Sequence, residues 1–332
     1  MKYLFTGGAG FIGSNFILGM LRKYPGLHIV NLDALTYAGN LDNLKSIEGD
    51  PRHTFIHGDI RDKQRLASLF SGHRFDAVVH FAAESHVDNS IETPDVFMET
   101  NVNGTVNLLN AARAAWSTGD DLYREGVKFL QVSTDEVYGS LGPEGLFSET
   151  APLDPHSPYS ASKAAADLFV KAYADTYKLP VNITRCSNNY GPYQNPEKLI
   201  PLMIHNALNG IPLPVYGDGM QVRDWLYVED HCAAIDCVLQ KGIPGEVYNI
   251  GGNTERFNLD IVRLILRYLQ KDESLIRHVT DRKGHDRRYA IDAGKIRSGL
   301  GWRPETSFET GIVKTIEWYI ANRAWTEGCG HG

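Results

Sequence analysis

The sequence contains few cysteines and no long apolar segment, and each shortage excludes a class of protein. Four cysteines among 332 residues are too sparse for a disulfide framework and form no C-x-x-C pair; they are Cys186, Cys232, Cys237 and Cys329. No apolar run approaches the roughly 20 residues that span a bilayer. The opening MKYLFTGGAG carries one lysine before its glycines, so we expect no signal peptide. Together these shortages predict a protein of the reducing cytoplasm with no membrane partner.

Positive charge is also in short supply. The net charge of -7 at pH 7 argues against a general nucleic-acid partner and against an anionic membrane surface. It leaves room for a phosphorylated small ligand, because such a ligand needs only a few local cations. A hydrophobic content of 42% and a charged content of 22% are typical of a globular protein. The length fits one large domain or two moderate ones.

Short β-like runs alternate with helical stretches through the first 190 residues. The β-like runs are KYLFTG from Lys2, HIVNLD from His28, HTFIHGD around Phe55, DAVVHFAA from Asp76, VKFLQVS from Val127 and PVNITRC from Pro180. The clearest helical stretches cover residues 101–116 and 160–177. This alternation predicts an α/β fold with a doubly wound, Rossmann-like parallel sheet covered by helices on both faces.

The amino-acid composition changes after Asn188. NNYGPYQNPEKLIP and GIPLPVYGDGMQ are rich in Pro, Gly, Asn and Tyr, which is typical of loops that bind ligands. EVYNIGG from Glu246 is predicted to return to the main sheet, and residues 258–270 to be helical. We therefore predict one domain of residues 1–188 and about 225–252, and a smaller, discontinuous C-terminal domain of about 189–224 and 253–332. We expect the final TEGCGHG to be frayed.

TGGAGFIG, from Thr6, has the glycine spacing of a dinucleotide-binding loop. Gly8, Gly10 and Gly13 fit G-x-G-x-x-G, and Gly7 with the last two fits G-x-x-G-x-x-G. The loop follows the first predicted strand and opens the first predicted helix, which is the context that the motif requires. Glycines let the backbone approach a pyrophosphate, and the helix N-terminus supplies free N–H groups. The alternative is a tight turn that binds nothing.

An acidic residue at the end of the second predicted strand completes this pattern. Asp33 lies 20 residues after Gly13. Its carboxylate suits the two hydroxyls of an adenosine ribose and would repel a 2′-phosphate. The pattern therefore predicts NAD as the cofactor rather than NADP.

YSASK places Tyr159 and Lys163 four residues apart, on one face of a helix. A free tyrosine, with a pKa of about 10, is a poor base at neutral pH. We predict that the Lys163 ammonium and the positive charge of bound NAD lower this pKa toward about 7, so that the phenolate can remove an alcohol proton. By itself the pair is also common on solvated helix faces.

STDEVYG, from Ser133, puts Asp135 and Glu136 side by side after a buried β-like run. Adjacent carboxylates raise each other's pKa, so such a pair can supply an acid and a base together. The alternative is a wet turn, where acidic residues are common. Successive residues of a strand point to opposite faces, so both acids can face one ligand only if the strand ends by about Thr134. We predict that it ends there.

TGGAGFIG, NVNGT at Asn101 and YSASK resemble the extended short-chain dehydrogenase/reductase superfamily, and the resemblance covers nearly the whole chain. Five longer strings are similar to the dTDP-glucose 4,6-dehydratase family: AAESHVDNSI, STDEVYG, NNYGPYQNPEKLIP, VRDWLYVEDH and GHDRRYAID. The resemblance implies a hydro-lyase that holds NAD, takes a dTDP-sugar as substrate and removes water from its hexose to give a 4-keto-6-deoxy sugar. It also implies a homodimer, with an NAD-binding larger domain and a sugar-nucleotide-binding smaller one.

The same resemblance assigns roles to individual residues. The implied catalytic residues are Thr134, Asp135, Glu136, Tyr159 and Lys163. The implied cofactor-binding residues are Gly7, Gly10, Phe11, Ile12, Gly13, Asp33, Ala34, Leu35, Thr36, Asp59, Ile60, Ala82, Ala83, Ser85, Thr100, Tyr159, Lys163 and Asn189. The implied substrate-binding residues are Ser85, Thr134, Asn188, Lys198, Leu199, Pro214, Tyr216, Arg223, Asn258, Asp281, Arg282 and His285. We expect no metal, since His86 in ESHVD lies in no metal-ligand spacing.

The chemistry of the implied reaction explains the need for two acids. A C5 proton of a hexose is very weakly acidic until C4 is oxidised to a ketone. Once it is acidic, Glu136 can remove it while protonated Asp135 donates to the departing C6 hydroxyl. Four alternatives stay open: an epimerase, a decarboxylase or another nucleotide-sugar dehydratase on the same scaffold, or an NAD-binding regulator without catalysis. Thymine and uracil differ by one methyl group, so the base is implied by the resemblance alone.

Overall fold

The structure is a computed structural model that describes residues 1–329. Fourteen strands lie in this part of the chain: β1 (Lys2–Thr6), β2 (His28–Asp33), β3 (His53–His57), β4 (Ala77–His80), β5 (Ser117–Gly119), β6 (Leu122–Tyr123), β7 (Lys128–Thr134), β8 (Val181–Cys186), β9 (Asn188–Tyr190), β10 (Leu213–Tyr216), β11 (Val222–Tyr227), β12 (Val247–Ile250), β13 (Glu255–Phe257) and β14 (Ile276–Val279).

Twelve α-helices lie in the same residues: α1 (Phe11–Lys23), α2 (Lys63–Gly72), α3 (Val87–Glu92), α4 (Pro94–Phe97), α5 (Thr105–Trp116), α6 (Pro158–Tyr177), α7 (Leu199–Asn209), α8 (Val228–Lys241), α9 (Asn258–Tyr268), α10 (Gly294–Leu300), α11 (Phe308–Ala321) and α12 (Arg323–Gly328). Short 3₁₀ turns cover Leu41–Ile47, Asp135–Tyr138 and Glu273–Leu275, and a π-helix covers Met98–Gly104. No helix of residues 1–329 is both long and apolar enough to cross a membrane.

Seven strands form one parallel sheet in the order β12-β8-β7-β4-β1-β2-β3. The six β-like runs of the first 190 residues and the EVYNIGG run all lie in it. Because the chain winds outward from β1 in both directions, the predicted doubly wound, Rossmann-like α/β fold is confirmed. The carboxyl ends of the central strands meet at one edge, which is where such sheets bind ligands.

Both faces of the sheet are covered. α1 and α8 pack on one face around Phe16 and Ile235, and α2, α5 and α6 pack on the other around Leu108 and Val170. This two-sided burial explains why the strands read as apolar runs rather than as alternating patterns. The helix predicted at 101–116 contributes to this packing, since its Leu109 and Trp116 are buried in the second of these two cores.

That predicted helix differs from the observed one at its start. Its first turns are the π-helix, and regular α-helix begins only at Thr105. The buried Asn101 side chain binds both backbone groups of Glu84, at 2.8 and 3.0 Å, and the Ser162 hydroxyl at 2.8 Å. These bonds fix Asn101 to the loop after β4, and the wider turn accommodates them.

Most of the later strands and helices build a third core, which we call the smaller lobe. It contains the two-stranded sheet β10-β14, the three-stranded sheet β13-β11-β9 and helices α7, α9 and α11. The limit predicted between residues 224 and 225 falls inside β11, and the proposed division into two domains stays a prediction. The predicted fraying is wrong for Thr326–Gly328, which lie in α12 with Thr326 buried, while Gly330–Gly332 lie outside the described residues.

Candidate active site

A cleft of about 330 Å³ opens at the carboxyl ends of β1, β2, β4, β7 and β8. It runs from the glycine loop at one end to Asp135 and Glu136 at the other. All the implied cofactor-binding residues except Leu35 line it, and so do all five implied catalytic residues. The topology therefore brings together side chains from eight separate stretches of sequence.

The glycine loop forms the tight connection from β1 to α1. Gly7 has φ +74°, and a Cβ there would lie 2.5 Å from the Ala82 backbone nitrogen. A Cβ on Gly13 would clash with the Gly7 carbonyl oxygen. Gly10 differs, because its nearest neighbour is 3.4 Å away and its side is open. The loop is thus packed tightly from behind and leaves backbone exposed to the cleft where α1 begins, as a pyrophosphate-binding loop requires.

Asp33 ends β2 beside this loop. Its two oxygens accept hydrogen bonds of 2.8 Å from the backbone N–H groups of Ala9 and Leu35. Burial raises the pKa of the Asp33 carboxyl, and the two N–H donors oppose that rise. Leu35, with φ +50°, turns the chain there and serves Asp33 through its backbone rather than by lining the cleft. These residues, with the open side of Gly10, fit the adenosine diphosphate part of a dinucleotide.

The acid pair lies at the opposite end of the cleft. β7 ends at Thr134, as predicted, and Asp135–Tyr138 form a 3₁₀ turn. The Thr134 hydroxyl starts this turn by accepting a hydrogen bond of 3.3 Å from the Glu136 backbone N–H. Because the chain coils instead of continuing as a strand, both carboxyl groups line the same cleft.

The surroundings of the two acids differ in charge. Burial raises the pKa of the Asp135 carboxyl well above its usual range, and the anionic side chains of Glu136 and Asp224 add to the rise. Burial also raises the pKa of Glu136, but the cations of Arg223 and Lys198 oppose that rise. Arg223 also opposes the rise at Asp135, but only the pKa of Asp135 is raised well above its usual range, and this difference favours the proton on Asp135.

The carboxyl group of Asp135 is poorly provided with hydrogen-bond partners. Oδ1 accepts a long hydrogen bond of 3.4 Å from the Thr134 hydroxyl, and the buried Oδ2 has no hydrogen-bond partner in residues 1–329. An unpaired buried oxygen costs about 1–3 kcal/mol, so its presence needs an explanation. A proton donor that waits for a substrate provides one.

Tyr159 and Lys163 lie on the first two turns of α6 and also line the cleft. The Thr134 side chain lies close enough to the Tyr159 phenol to oppose the rise in its pKa. Lys163 Nζ donates to the Val132 carbonyl oxygen at 2.9 Å. In the chain itself, burial and the Glu136 carboxylate raise the pKa of Tyr159 well above 10. The predicted lowering of this pKa depends also on the positive charge of bound NAD and stays a prediction, and Lys163 turns its ammonium toward the backbone of β7.

The implied substrate-binding residues divide into two groups. Ser85, Thr134, Asn188 and Lys198 line the cleft, whereas Leu199, Pro214, Tyr216, Arg223, Asn258, Asp281, Arg282 and His285 do not. Several of the second group cluster in the smaller lobe, where the Arg282 guanidinium lies 5.0 Å from the Tyr216 ring centre. His285 is bonded to Asp281 at 2.6 Å. His86 caps α3 and lies 3.5 Å from Glu197, and residues 1–329 contain no cluster suited to a metal ion.

Sequence reasoning did not find several side chains around the acids. Asp286 and Tyr289 approach Glu136 from the smaller lobe, and the Tyr289 hydroxyl donates to Asp286 at 2.6 Å. The Arg223 guanidinium lies 4.2 Å from the Tyr289 ring centre. Cys186, at the end of β8, lines the cleft as well. The GHDRRYAID string contains both Asp286 and Tyr289. The sequence alone does not show which of its residues come near Glu136, because that depends on how distant segments pack together.

The fold and the cleft together define a short-chain dehydrogenase/reductase of the extended type. A protein-family model described as GDP-mannose 4,6 dehydratase matches residues 4–315. The chain is 56% identical to a dTDP-glucose 4,6-dehydratase of Xanthomonas campestris over 98% of this chain and 95% of that protein. It is 51% identical to one of Escherichia coli, with the same coverage of both.

Solved structures agree with these relatives. A dTDP-glucose 4,6-dehydratase of Streptomyces venezuelae, solved with NAD bound, is 51% identical and superposes with a TM-score of 0.93 over 99% of this chain and 100% of its own. A UDP-glucose 4-epimerase of Thermotoga maritima is 30% identical, with a TM-score of 0.88 over 97% and 100%. The chain belongs to the dTDP-glucose 4,6-dehydratase family.

Proposed function

We propose that this protein is an NAD-dependent hydro-lyase that converts dTDP-glucose into dTDP-4-keto-6-deoxy-glucose. The observation that carries the proposal is the end of β7 at Thr134, which places Asp135 and Glu136 in the same cleft as Tyr159 and Lys163. Relatives that share half or more of the sequence carry the name of this activity. One of the solved relatives holds NAD.

The cofactor's place follows from the two ends of the cleft. The open side of Gly10 and the N-terminus of α1 would hold the pyrophosphate, and Asp33 would hold the adenosine ribose. Lys163 and Tyr159 would then lie at the nicotinamide end. A bound NAD would supply the hydride acceptor for oxidation at C4 and, once reduced, the hydride donor for C6.

The residues at C4 handle a proton. Tyr159 accepts the proton of the C4 hydroxyl as that carbon is oxidised, and Thr134, whose side chain lies near the phenol, hydrogen-bonds the C4 oxygen. Because burial raises the pKa of Tyr159 in the chain itself, ionisation of this phenol depends on positive charge that arrives with the cofactor. The Lys163 ammonium supplies the rest of the positive charge that favours the phenolate, although burial lowers its own pKa.

The acid pair carries out the elimination. With C4 oxidised, the C5 proton is α to a carbonyl, and Glu136 removes it. Asp135 donates its proton to the C6 hydroxyl, so that the C6–O bond breaks, water departs and a C5–C6 double bond forms. Glu136 then returns its proton to C5, and the hydride that the bound cofactor would supply adds to C6, which yields the product. Proton exchange with solvent removes the proton held by Tyr159 and restores that of Asp135. The larger rise in the pKa of Asp135, together with the cations near Glu136, supports this order of acid and base.

An isotopic experiment tests the reaction. The protein is given dTDP-glucose carrying deuterium at C4, and the product is examined by mass spectrometry and NMR. The proposal expects a 4-keto-6-deoxy product with the deuterium at C6 and no net formation of NADH. An epimerised sugar would point to an epimerase, accumulating NADH to a simple dehydrogenase or a decarboxylase, and no turnover to an NAD-binding regulator. Parallel assays with UDP-glucose and GDP-mannose test the nucleotide.

We further propose that the protein works as a homodimer in the cytoplasm. α6 carries the exposed apolar side chains Leu168 and Phe169, which are 60% and 44% accessible, and a second copy would cover them. Light scattering over a range of concentrations tests the assembly. A monomer at every concentration would contradict it, and Leu168→Lys should weaken the dimer without changing the cleft.

A further inference from the structure

The C-terminal helix α12 is linked to the glycine loop through Asn43, although helix and loop lie at opposite ends of the sequence. Trp325 Nε1 donates a hydrogen bond of 2.8 Å to Asn43 Oδ1, across 282 residues. Asn43 is 2% exposed, and its Nδ2 donates to the Ala9 carbonyl oxygen at 2.9 Å. Both ends of this amide are therefore used, one toward α12 and one toward the loop between β1 and α1.

The Ala9 peptide is held on both sides. Its carbonyl oxygen also accepts from the Asn40 backbone N–H at 3.0 Å, which fills both acceptor positions of that oxygen. The Ala9 N–H donates to Asp33 Oδ2 at 2.8 Å. The orientation of Ala9 thus determines where the Asp33 carboxylate lies and how the next residue, Gly10, presents its open side to the cleft.

Trp325 itself is fixed by the smaller lobe. Its ring lies 5.1 Å from that of Trp318 and 5.8 Å from that of Tyr193, and it packs against the core of that lobe. The tryptophan therefore transmits the position of the smaller lobe to Asn43. A surface helix that only capped the chain would not need an indole N–H aimed at a buried amide.

We propose that Trp325 is a positioning residue for the cofactor: through Asn43 it holds the Ala9 peptide in the orientation that binds NAD. The inference rests on the proposed function in so far as NAD is the ligand of the cleft. It adds that the last helix, in the part of the chain assigned to the substrate domain, takes part in cofactor retention. Without its hydrogen bond, Asn43 can turn, and the loop loses one of its constraints.

The test compares two tryptophans of one cluster. Trp325→Phe keeps an aromatic ring in place but removes the hydrogen-bond donor to Asn43. Trp318→Phe is the matched control, because it replaces an indole of the same aromatic cluster that does not bond to Asn43. The variants and the wild-type protein are stripped of NAD, and NAD and dTDP are titrated by calorimetry. We expect the Kd for NAD to rise about fivefold in W325F and less than twofold in W318F. The affinity for dTDP should be unchanged in both.

A double-variant cycle decides whether Trp325 acts through Asn43. Asn43→Ala should weaken NAD binding by about tenfold, and W325F combined with N43A should bind as N43A does. Three results would each overturn the inference while leaving the proposed function intact. They are equal effects of W325F and W318F on NAD binding, a double variant whose fold-change in Kd is the product of the two single changes, and a parallel loss of dTDP affinity. Wild-type protein that binds no NAD would overturn both.

Discussion

The two ends of the cleft differ in how well their polar groups are satisfied. At the nucleotide end, both oxygens of Asp33 accept backbone hydrogen bonds of 2.8 Å. At the chemical end, Asp135 makes only one long bond, and its second oxygen has no partner in the described residues 1–329. Burial raises the pKa of both carboxyls, but backbone donors oppose it at Asp33, whereas two neighbouring anions reinforce it at Asp135.

The difference separates binding from catalysis. A binding end gains from groups that are already in place, because ordering them later would cost affinity. A catalytic end must keep a proton donor free for the substrate, and the fold bears the cost of an unsatisfied oxygen there. Variants that affect one end should therefore leave the other intact.

The largest expected effect is at the chemical end. Glu136→Gln removes the base but keeps the size of the side chain, so kcat should fall by about 10²–10⁴-fold. Steady-state kinetics measures the loss, and calorimetry should show NAD affinity unchanged within about twofold. A variant that keeps a tenth of its activity would show that another group removes the C5 proton.

Two glycines of one loop should respond differently at the nucleotide end. Gly13→Ala places its methyl group against the Gly7 carbonyl and 2.8 Å from the Gly8 Cα, so stability should fall by about 1–3 kcal/mol. Gly10→Ala meets nothing closer than 3.4 Å and should keep its stability, but its methyl group lies where backbone must approach the pyrophosphate. Its NAD affinity should fall about tenfold. Urea unfolding and NAD titration of both variants separate the two effects, and equal stabilities would contradict the packing argument.

The cations around Glu136 can be tested through pH. Arg223 opposes the rise in the pKa of Glu136, so Arg223→Gln should raise that pKa further. Since Glu136 must be ionised to act, the acidic limb of kcat should move to higher pH, by about one unit. Arg287→Gln is the control, because Arg287 pairs with Asp218 on the surface. The argument fails if both variants, measured at saturating substrate, keep the wild-type profile.

The smallest effect is on stability, and it should have opposite signs at the two ends. The raised pKa of Asp135 means that its protonated form is favoured in the fold, so stability is lost as pH rises through that pKa. Asp135→Asn escapes this loss and should be more stable than wild type by about 1 kcal/mol at pH about 8, but not at pH about 3. Asp33→Asn should instead lose about 1–3 kcal/mol, since its amide NH₂ cannot accept from a backbone N–H. Thermal unfolding at both pH values checks the pair.

Local patterns predicted much of this protein. The apolar runs and the glycine spacing identified all seven strands of the main sheet and the loop after β1. Two neighbouring acids can share a ligand only beyond the end of a strand. This rule correctly predicted that the strand ends at Thr134. Such features depend on residues close together in sequence, where steric and periodic rules apply directly.

The sequence by itself determined the candidate site residues, which are a dinucleotide loop with Asp33, the Tyr159 and Lys163 pair, and two adjacent acids. Only the tertiary structure decided which charges surround the two acids, since Arg223 and Asp224 come from a distant stretch. It also decided that the pKa of Tyr159 rises in the chain itself, and that Trp325 reaches Asn43. The physical reason is that burial and charge act through space, so their sum at one atom is settled by packing between segments far apart in the chain.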